Sequence, residues 1–144
     1  MARIKIDLPE HFSFNIQIPI RIQDVNYGNH VGNDAILSIM HEARIQYLQS
    51  LGYKELDKVA NTGLIMADVA MTYKGEGFHG DIFNVAVTAG DFGPFGFDLF
   101  YKITTTRDQQ PITIAEAKTG MICFDYNTRK IMKLPAAMKA ALEL

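Results

Sequence analysis

A chain of 144 residues with a formal net charge of −2 fits one domain and can bury about two-thirds of the surface that its unfolded form exposes. Charges of both signs are interspersed without a run of one sign, which argues against a nucleic-acid partner. The first ten residues are too charged for a secretory signal, and no apolar stretch approaches the roughly 18 residues of a membrane span. We therefore expect a cytoplasmic protein that does not insert into membranes, with a single domain over residues 1–144.

The first predicted strand covers residues 12–22, where apolar side chains occupy every even position. Pro19 favours an edge position or a bulge for this strand, because proline has no N–H to pair. A long apolar helix follows, with Asn33 or Asp34 as its predicted N-cap and Gly52 as its stop. The apolar residues that recur at helical spacing are Ile36, Met40, Ala43, Tyr47 and Leu51.

Four more strands are predicted from alternating residues bounded by glycine- or proline-containing turns. They cover residues 65–73, 82–89, 96–105 and 112–124, the last of them bent or bulged near Gly120. Pro135 opens a short terminal helix over residues 136–142. One strand, a long helix and four strands in hairpin succession predict an α+β fold, in which a five-stranded antiparallel sheet wraps one long central helix.

The segment richest in chemistry joins the first strand to the long helix, from Arg21 to Asp34. It brings together a carboxylate (Asp24), a turn rich in asparagine and glycine, a histidine (His30) and a helix start. Free backbone amides at a helix start carry partial positive charge and attract anions. These residue types are typical of a site that generates and holds a negative charge.

This layout and this loop resemble the hotdog-fold acyl-CoA thioesterases of the 4-hydroxybenzoyl-CoA thioesterase type, over nearly the whole chain. In that family the first strand leads into a pattern like Arg-x-x-Asp-x-x-x-x-Gly-His-Val-Asn-Asn. Two positions differ here, because Asn29 follows Gly28 where the pattern has its glycine, and Gly32 replaces the first asparagine of the closing pair. The residues at matching offsets are Arg21, Asp24, His30, Val31 and Asn33.

The resemblance implies hydrolysis of an acyl-CoA to a carboxylic acid and free coenzyme A. Asp24 is then the base or nucleophile, the Val31 amide donates to the thioester oxygen, and His30 supports the reaction. From the residues alone, Asp24 can also be a turn carboxylate that orders the loop, and His30 a histidine bonded to backbone. Glu42 on the helix is a reserve catalytic carboxylate, whose alternative is pairing with a neighbour such as Arg44.

Candidate substrate-binding residues are Asn26, Tyr27 and Asn33, which also shape the loop, and Tyr73, which lines a pocket or belongs to the core. We predict no metal site, because the histidines show no ligand spacing. No cofactor is expected beyond coenzyme A as part of the substrate. Cations available for its phosphates near predicted strand ends are Lys74, Arg107, Arg129 and Lys130.

The quaternary structure follows from the sheet edges. An open sheet exposes two edges, and the resemblance implies a homodimer or homotetramer with the site at a subunit interface. Two other functions stay open on the same fold. One is a hotdog dimer that binds an acyl thioester without catalysis, and the other is a hydratase or dehydratase that uses Asp24 and His30 for proton transfer.

Overall fold

The computed structural model describes all 144 residues. It confirms the α+β class, but the prediction of five strands is wrong, because two further strands of two residues each extend the sheet. Pairs this short cannot show an alternating pattern in sequence. The elements are β1 (Phe14–Pro19), α1 (Asn33–Ser50), β2 (Leu56–Asp57), β3 (Thr62–Tyr73), β4 (Ile82–Gly90), β5 (Gly96–Arg107), β6 (Gln110–Asp125), β7 (Lys130–Ile131) and α2 (Ala136–Leu142).

All strands join one antiparallel sheet in the order β1-β4-β5-β6-β3-β2, with β7 beside β6. β1 lies at one end of this order, so the edge position that Pro19 predicted is confirmed. Near the other end, β2 pairs only with the first two residues of β3. Most of the outer edge of β3 therefore has no strand partner within the chain.

The strand pairing contains the predicted distortion near Gly120. Met66 pairs with Met121 and Asp68 pairs with Gly120, so Ala67 is an extra residue in β3. The Gly120 amide donates a hydrogen bond to the Asp68 carboxylate at 2.9 Å. The irregularity is confirmed, and its inserted residue lies on β3 and not on β6.

β1 is shorter than its alternating pattern predicts. The pattern continues to Ile22, but pairing stops at Pro19, and the Ile22 side chain is 71% exposed. A turn of 3-10 helix at Ile22–Asp24 interrupts the strand. Periodicity alone predicts too late an end for β1, because the turn that ends this strand is set by a polar interaction between Arg21 and Asp24.

The two ends of the long helix are capped in different ways. Its N-cap is Gly32, which offers no side chain, so the prediction of Asn33 or Asp34 as cap is wrong. At the other end Gly52 has a φ of +84°, and the amides of Gly52 and Tyr53 bond the carbonyls of Gln49 and Leu48 at 3.0 and 2.9 Å. This is a Schellman motif, and it confirms Gly52 as the stop.

The core lies between α1 and the sheet, chiefly against β4 and β1. Four of the five predicted helix positions are buried, and Leu51 is partly buried. α2 forms as predicted, with Leu142 buried against the core. None of the helices has the length and apolar character needed to cross a membrane. The α1 side chains buried in the core are Ile36, Ile39, Met40, Ala43, Arg44, Tyr47 and Leu48.

Candidate functional site

Asp24 closes the turn that ends β1. Its carboxylate accepts a hydrogen bond from the Arg21 amide at 2.9 Å and two from the Arg21 guanidinium at 3.2 and 3.3 Å. The side chain of Asp24 is 7% exposed, whereas that of Arg21 is 63% exposed. Both carboxylate oxygens are thus engaged by one neighbouring residue. This geometry favours the turn-ordering role over the role of a free base or nucleophile.

The same turn is bonded to the start of α1. The Gly32 amide donates to the Asp24 carbonyl at 3.1 Å, and Val25 and Val31 form an isolated β-bridge. Asp24 therefore lies beside the helix start. The sequence-predicted site residues from Arg21 to Asn33 are brought together by backbone hydrogen bonds.

The loop between the two halves of this bridge is a tight turn. The Asn26 side chain accepts a hydrogen bond from the Gly28 amide at 2.8 Å, and the Asn26 amide donates to the His30 carbonyl at 2.9 Å. Asn29 has a φ of +65°, whereas Gly28 is not in the left-handed region. The asparagine occupies the position at which the family pattern has glycine, because asparagine tolerates this conformation better than other residues with side chains.

The Val31 amide is not free. It donates a hydrogen bond of 2.7 Å to the carbonyl of Gly77, in the connection between β3 and β4. The amide that was expected to donate to the thioester oxygen is therefore engaged within the chain, and its catalytic role stays a prediction. Gly77 is buried, and a Cβ at that position would lie 2.9 Å from a Val31 methyl group and against the Phe83 ring. The close approach of the two segments requires glycine.

Two other amides at the helix start are unpaired. The Asn33 and Asp34 amides have no hydrogen-bond acceptor, and the first amides bonded within the helix region are those of Ala35 and Ile36, which reach the Gly32 carbonyl at 3.1 and 3.3 Å. Asn33 and Asp34 are both exposed. Free backbone amides are thus available at Asn33 and Asp34, two and three residues beyond Val31.

His30 lies half-buried in the loop before α1. Its Nδ1 is 3.2 Å from the Val31 carbonyl oxygen, and its Nε2 has no hydrogen-bond partner. His30 and Asp24 form no hydrogen bond with each other. If Nδ1 carries the proton, Nε2 is left as an acceptor.

The candidate substrate-binding residues differ in their surroundings. Tyr27 is fully exposed at the tip of the loop. Tyr73 is 51% exposed, so its core interpretation is wrong, and its hydroxyl donates to the Asn33 carbonyl at 3.5 Å. The last residue of β3 therefore touches the first turn of α1. Asn26 and Asn33 are exposed on either side of His30.

Glu42 is exposed on α1 and accepts a hydrogen bond from Gln46 at 3.1 Å. It does not pair with Arg44, whose side chain points into the core. Glu42 lies nine residues beyond Asn33, which is about 13 Å along the helix axis. The reserve carboxylate is open to solvent but distant from the unpaired amides of its own chain.

Sequence reasoning missed a buried polar network beneath α1. Arg44, 7% exposed, pairs with Glu55 and donates from Nη1 to the Tyr101 hydroxyl at 3.4 Å, and that hydroxyl lies 2.8 Å from the Thr119 hydroxyl. Glu55 also lies 3.3 Å from His41. Burial raises the pKa of Tyr101 even though the Arg44 charge opposes the shift, so the phenol stays protonated. An arginine among apolar helix positions was the only available signal.

The connection that carries Gly77 is held by Arg107. Its guanidinium donates to the Asp81 carboxylate and the Glu76 carbonyl, and it lies 4.7 Å from the centroid of the Phe78 ring. Burial alone would raise the pKa of Asp81, but hydrogen bonds from Arg107 and the Phe78 amide hold it below its usual value. This ion pair fixes the acceptor of the Val31 amide.

Two further features are the possible metal ligands and the single cysteine. No group of three or more His, Cys, Asp or Glu side chains is placed to hold a metal ion, and the absence of a metal from the reaction remains a prediction. Cys123 is buried, and burial raises the pKa of its thiol. A buried thiol with a raised pKa is a poor nucleophile, so Cys123 is unreactive in the folded protein.

One long helix wrapped by a single antiparallel sheet is the architecture of the hotdog fold. The family model of the thioesterase-like superfamily matches residues 20–142. The chain therefore belongs to the thioesterase-like superfamily. Comparison with curated proteins gives no match.

Solved structures show the same fold at low sequence identity. A 1,4-dihydroxy-2-naphthoyl-CoA thioesterase from Synechocystis is 21% identical, with a TM-score of 0.80 over 90% of this chain and 94% of that one. A putative thioesterase from Pseudomonas aeruginosa is 24% identical, with a TM-score of 0.81 over 91% and 98%. A gentisyl-coenzyme A thioesterase is 13% identical, with a TM-score of 0.77 over 90% and 99%. The likeness confirms the hotdog fold.

Proposed function

We propose that this protein hydrolyses an acyl-CoA thioester to a carboxylic acid and free coenzyme A. The observation that carries the proposal is the pair of unpaired amides of Asn33 and Asp34, two exposed residues at the start of α1, in a member of the thioesterase-like superfamily. Such amides stabilise the oxyanion that forms when a nucleophile adds to the thioester carbonyl. Two of the similar structures are described as thioesterases of aromatic acyl-CoA compounds, which makes aromatic acyl groups the first to test.

The water-activating group in this proposal is His30. Its unpaired Nε2 can accept a proton from water, and the Val31 carbonyl orients the ring through Nδ1. Asp24 acts as a positioning residue, since its carboxylate fastens the turn through Arg21 while its carbonyl accepts the Gly32 amide. Glu42 stays the reserve base, and its exposed carboxylate would act on the helix start of a partner subunit.

A homodimer is part of the same proposal. From Ile65 to Ala70 the outer edge of β3 has no strand partner, and Met66 and Val69 on this strand are 43% and 41% exposed. Unpaired edges with exposed apolar residues are used for pairing between chains. Because Tyr73 at the end of β3 touches Asn33, such pairing would put the site close to the interface. Sedimentation equilibrium tests the dimer, and a monomer at working concentration would contradict it.

Thiol release from a panel of short, long and aromatic acyl-CoAs tests the activity. We expect turnover of at least one substrate, and a loss of about 100-fold or more in kcat for His30→Gln with an unchanged Tm. If Glu42→Gln loses activity while His30→Gln keeps full activity, the general base is Glu42 on α1 and not His30. Asp24→Asn is expected to lower both Tm and activity, since it alters the turn.

A non-catalytic acyl-thioester binder is the second candidate, and the engagement of both Asp24 oxygens by Arg21 favours it. Tight binding of acyl-CoA without release of thiol would establish it. The hydratase or dehydratase alternative relied on an Asp24 and His30 pair, which the structure does not form. An assay with an enoyl-CoA tests that alternative.

A further inference from the structure

A groove of about 800 Å³ runs between the amino-terminal arm, residues 3–7, and the end of β3. It is the site of an unusual concentration of charge. Three of its lining side chains are cationic and two are carboxylates. The charged and aromatic lining residues are Arg3, Lys5, Asp7, Tyr73, Lys74 and Glu116.

The cations of the arm have no partner in the protein. Arg3 and Lys5 form no salt bridge, whereas Lys74 lies 3.3 Å from the Glu116 carboxylate. Both are exposed, while Ile6 between the charged positions is half-buried and also lines the groove. Asp7 on the same arm has no salt-bridge partner either, so the two cations leave the arm with a net positive charge that attracts an anion.

Tyr73 connects this groove to the candidate site. Its half-exposed ring lines the groove, and its hydroxyl bonds the Asn33 carbonyl at 3.5 Å. The groove and the first turn of α1 therefore share Tyr73.

We propose that this groove binds the phosphorylated nucleotide end of coenzyme A, with Arg3 and Lys5 on its phosphates. The pantetheine arm then passes Tyr73 and brings the thioester to the Asn33 and Asp34 amides. The inference rests on the proposed function for its choice of ligand. A groove of this volume is in the range of small-molecule sites, and coenzyme A supplies the phosphates.

Binding of coenzyme A and of pantetheine, measured by calorimetry on the full chain with any tag at the carboxyl end, tests this assignment. The variant is Arg3→Ala/Lys5→Ala. The matched control is Lys54→Ala/Lys58→Ala, which removes the same charge from exposed residues beyond the opposite end of β3. We expect about a tenfold rise in the Kd of coenzyme A for the arm variant, less than a twofold change for pantetheine, and no change in the control.

A second measurement needs no variant. The unaltered protein should bind coenzyme A about tenfold more tightly than pantetheine, and salt should weaken only the former. Equal affinities for the two ligands, or equal effects of the arm and control variants, would overturn the proposal. So would a preference for acyl-carrier-protein thioesters over acyl-CoA with the same dependence on Arg3 and Lys5, because the arm would then recognise an acidic protein surface.

The outcome is separable from that of the proposed function. Binding of coenzyme A that depends on the arm, without thiol release from any acyl-CoA, supports the groove and contradicts hydrolysis. Thiol release with an arm variant that binds coenzyme A normally supports hydrolysis and contradicts the groove.

Discussion

The backbone amide of Val31 donates a 2.7 Å hydrogen bond to the carbonyl of Gly77, and this bond joins the start of α1 to the connection between β3 and β4. Val31 and Gly77 are 46 positions apart in the chain. The bond uses the amide that the family pattern suggests for catalysis. It also makes Gly77 a residue on which the shape of the site depends.

Gly77→Ala is expected to destabilise the protein by about 1–3 kcal/mol, because the new methyl group would overlap Phe83 and crowd Val31. For a chain of this length, that corresponds to a fall of several degrees in Tm. Gly93→Ala is the matched control, since the nearest atom to a Cβ there lies 3.9 Å away. Equal Tm values for the two variants would show that the close approach at Gly77 is not required.

The Asp81 and Arg107 pair predicts a loss of stability in acid. The folded protein holds the pKa of Asp81 below its unfolded value of 3.8, so the folded form binds fewer protons there. The ion pair contributes fully to the free energy of unfolding above the unfolded pKa of Asp81. This contribution disappears as the pH falls through the lowered pKa of the folded protein. Asp81→Asn should therefore lower Tm at pH 7 but have a smaller effect near pH 3.

Asp91→Asn serves as the control for this experiment, because Asp91 is exposed and forms no salt bridge. Its Tm should follow that of the unaltered protein at both pH values. A difference between Asp81→Asn and the unaltered protein that grows in acid would have the wrong sign for this ion pair.

The Arg44 and Glu55 pair predicts an unequal response to its two truncations. Glu55→Ala leaves a buried guanidinium without its carboxylate, at a cost of about 1–3 kcal/mol, whereas Arg44→Met replaces the charge with an apolar side chain. Arg44→Met should lower the free energy of unfolding by less than Glu55→Ala does. The double variant Arg44→Met/Glu55→Ala should be about as stable as Arg44→Met. Urea unfolding measures the three free energies. The exposed Lys139 and Glu143 pair is the control, and Glu143→Ala should change the free energy by under about 0.5 kcal/mol.

The left-handed conformation of Asn29 predicts a preference at this position. Asn29→Gly should leave the free energy of unfolding within about 0.5 kcal/mol, because glycine adopts a positive φ without cost. Asn29→Val should cost about 1–2 kcal/mol through contact between its Cβ and the backbone. Urea unfolding distinguishes the two, and equal stability of the variants would contradict the conformational argument.

Local patterns in the sequence predict most of the fold. Alternation located the five long strands, and Gly52 marked the end of α1 because a Schellman motif needs a left-handed residue. The loop pattern also located the cluster around Asp24 and His30. Periodicity failed where a side-chain contact ends an element, as at Ile22, and for strands of two residues.

The details of the site depend on contacts between distant segments. The engagement of the Val31 amide by Gly77, and the pairing of Arg44 with Glu55 and Tyr101, join residues whose separation leaves no local signal. The groove beside Tyr73 likewise forms only because the amino-terminal arm packs near the end of β3. The sequence identified the types of residue in the site. Tertiary packing determines which of their polar atoms have no hydrogen-bond partner within the chain.

The burial of Cys123 has a practical consequence for every assay of released thiol. A folded sample contributes almost no background to a disulfide reagent, because the protein thiol is hidden and its pKa is raised. A variant that opens transiently would instead add one equivalent of colour per chain without any substrate. Each activity measurement thereby carries an internal report on whether the variant has kept its native packing.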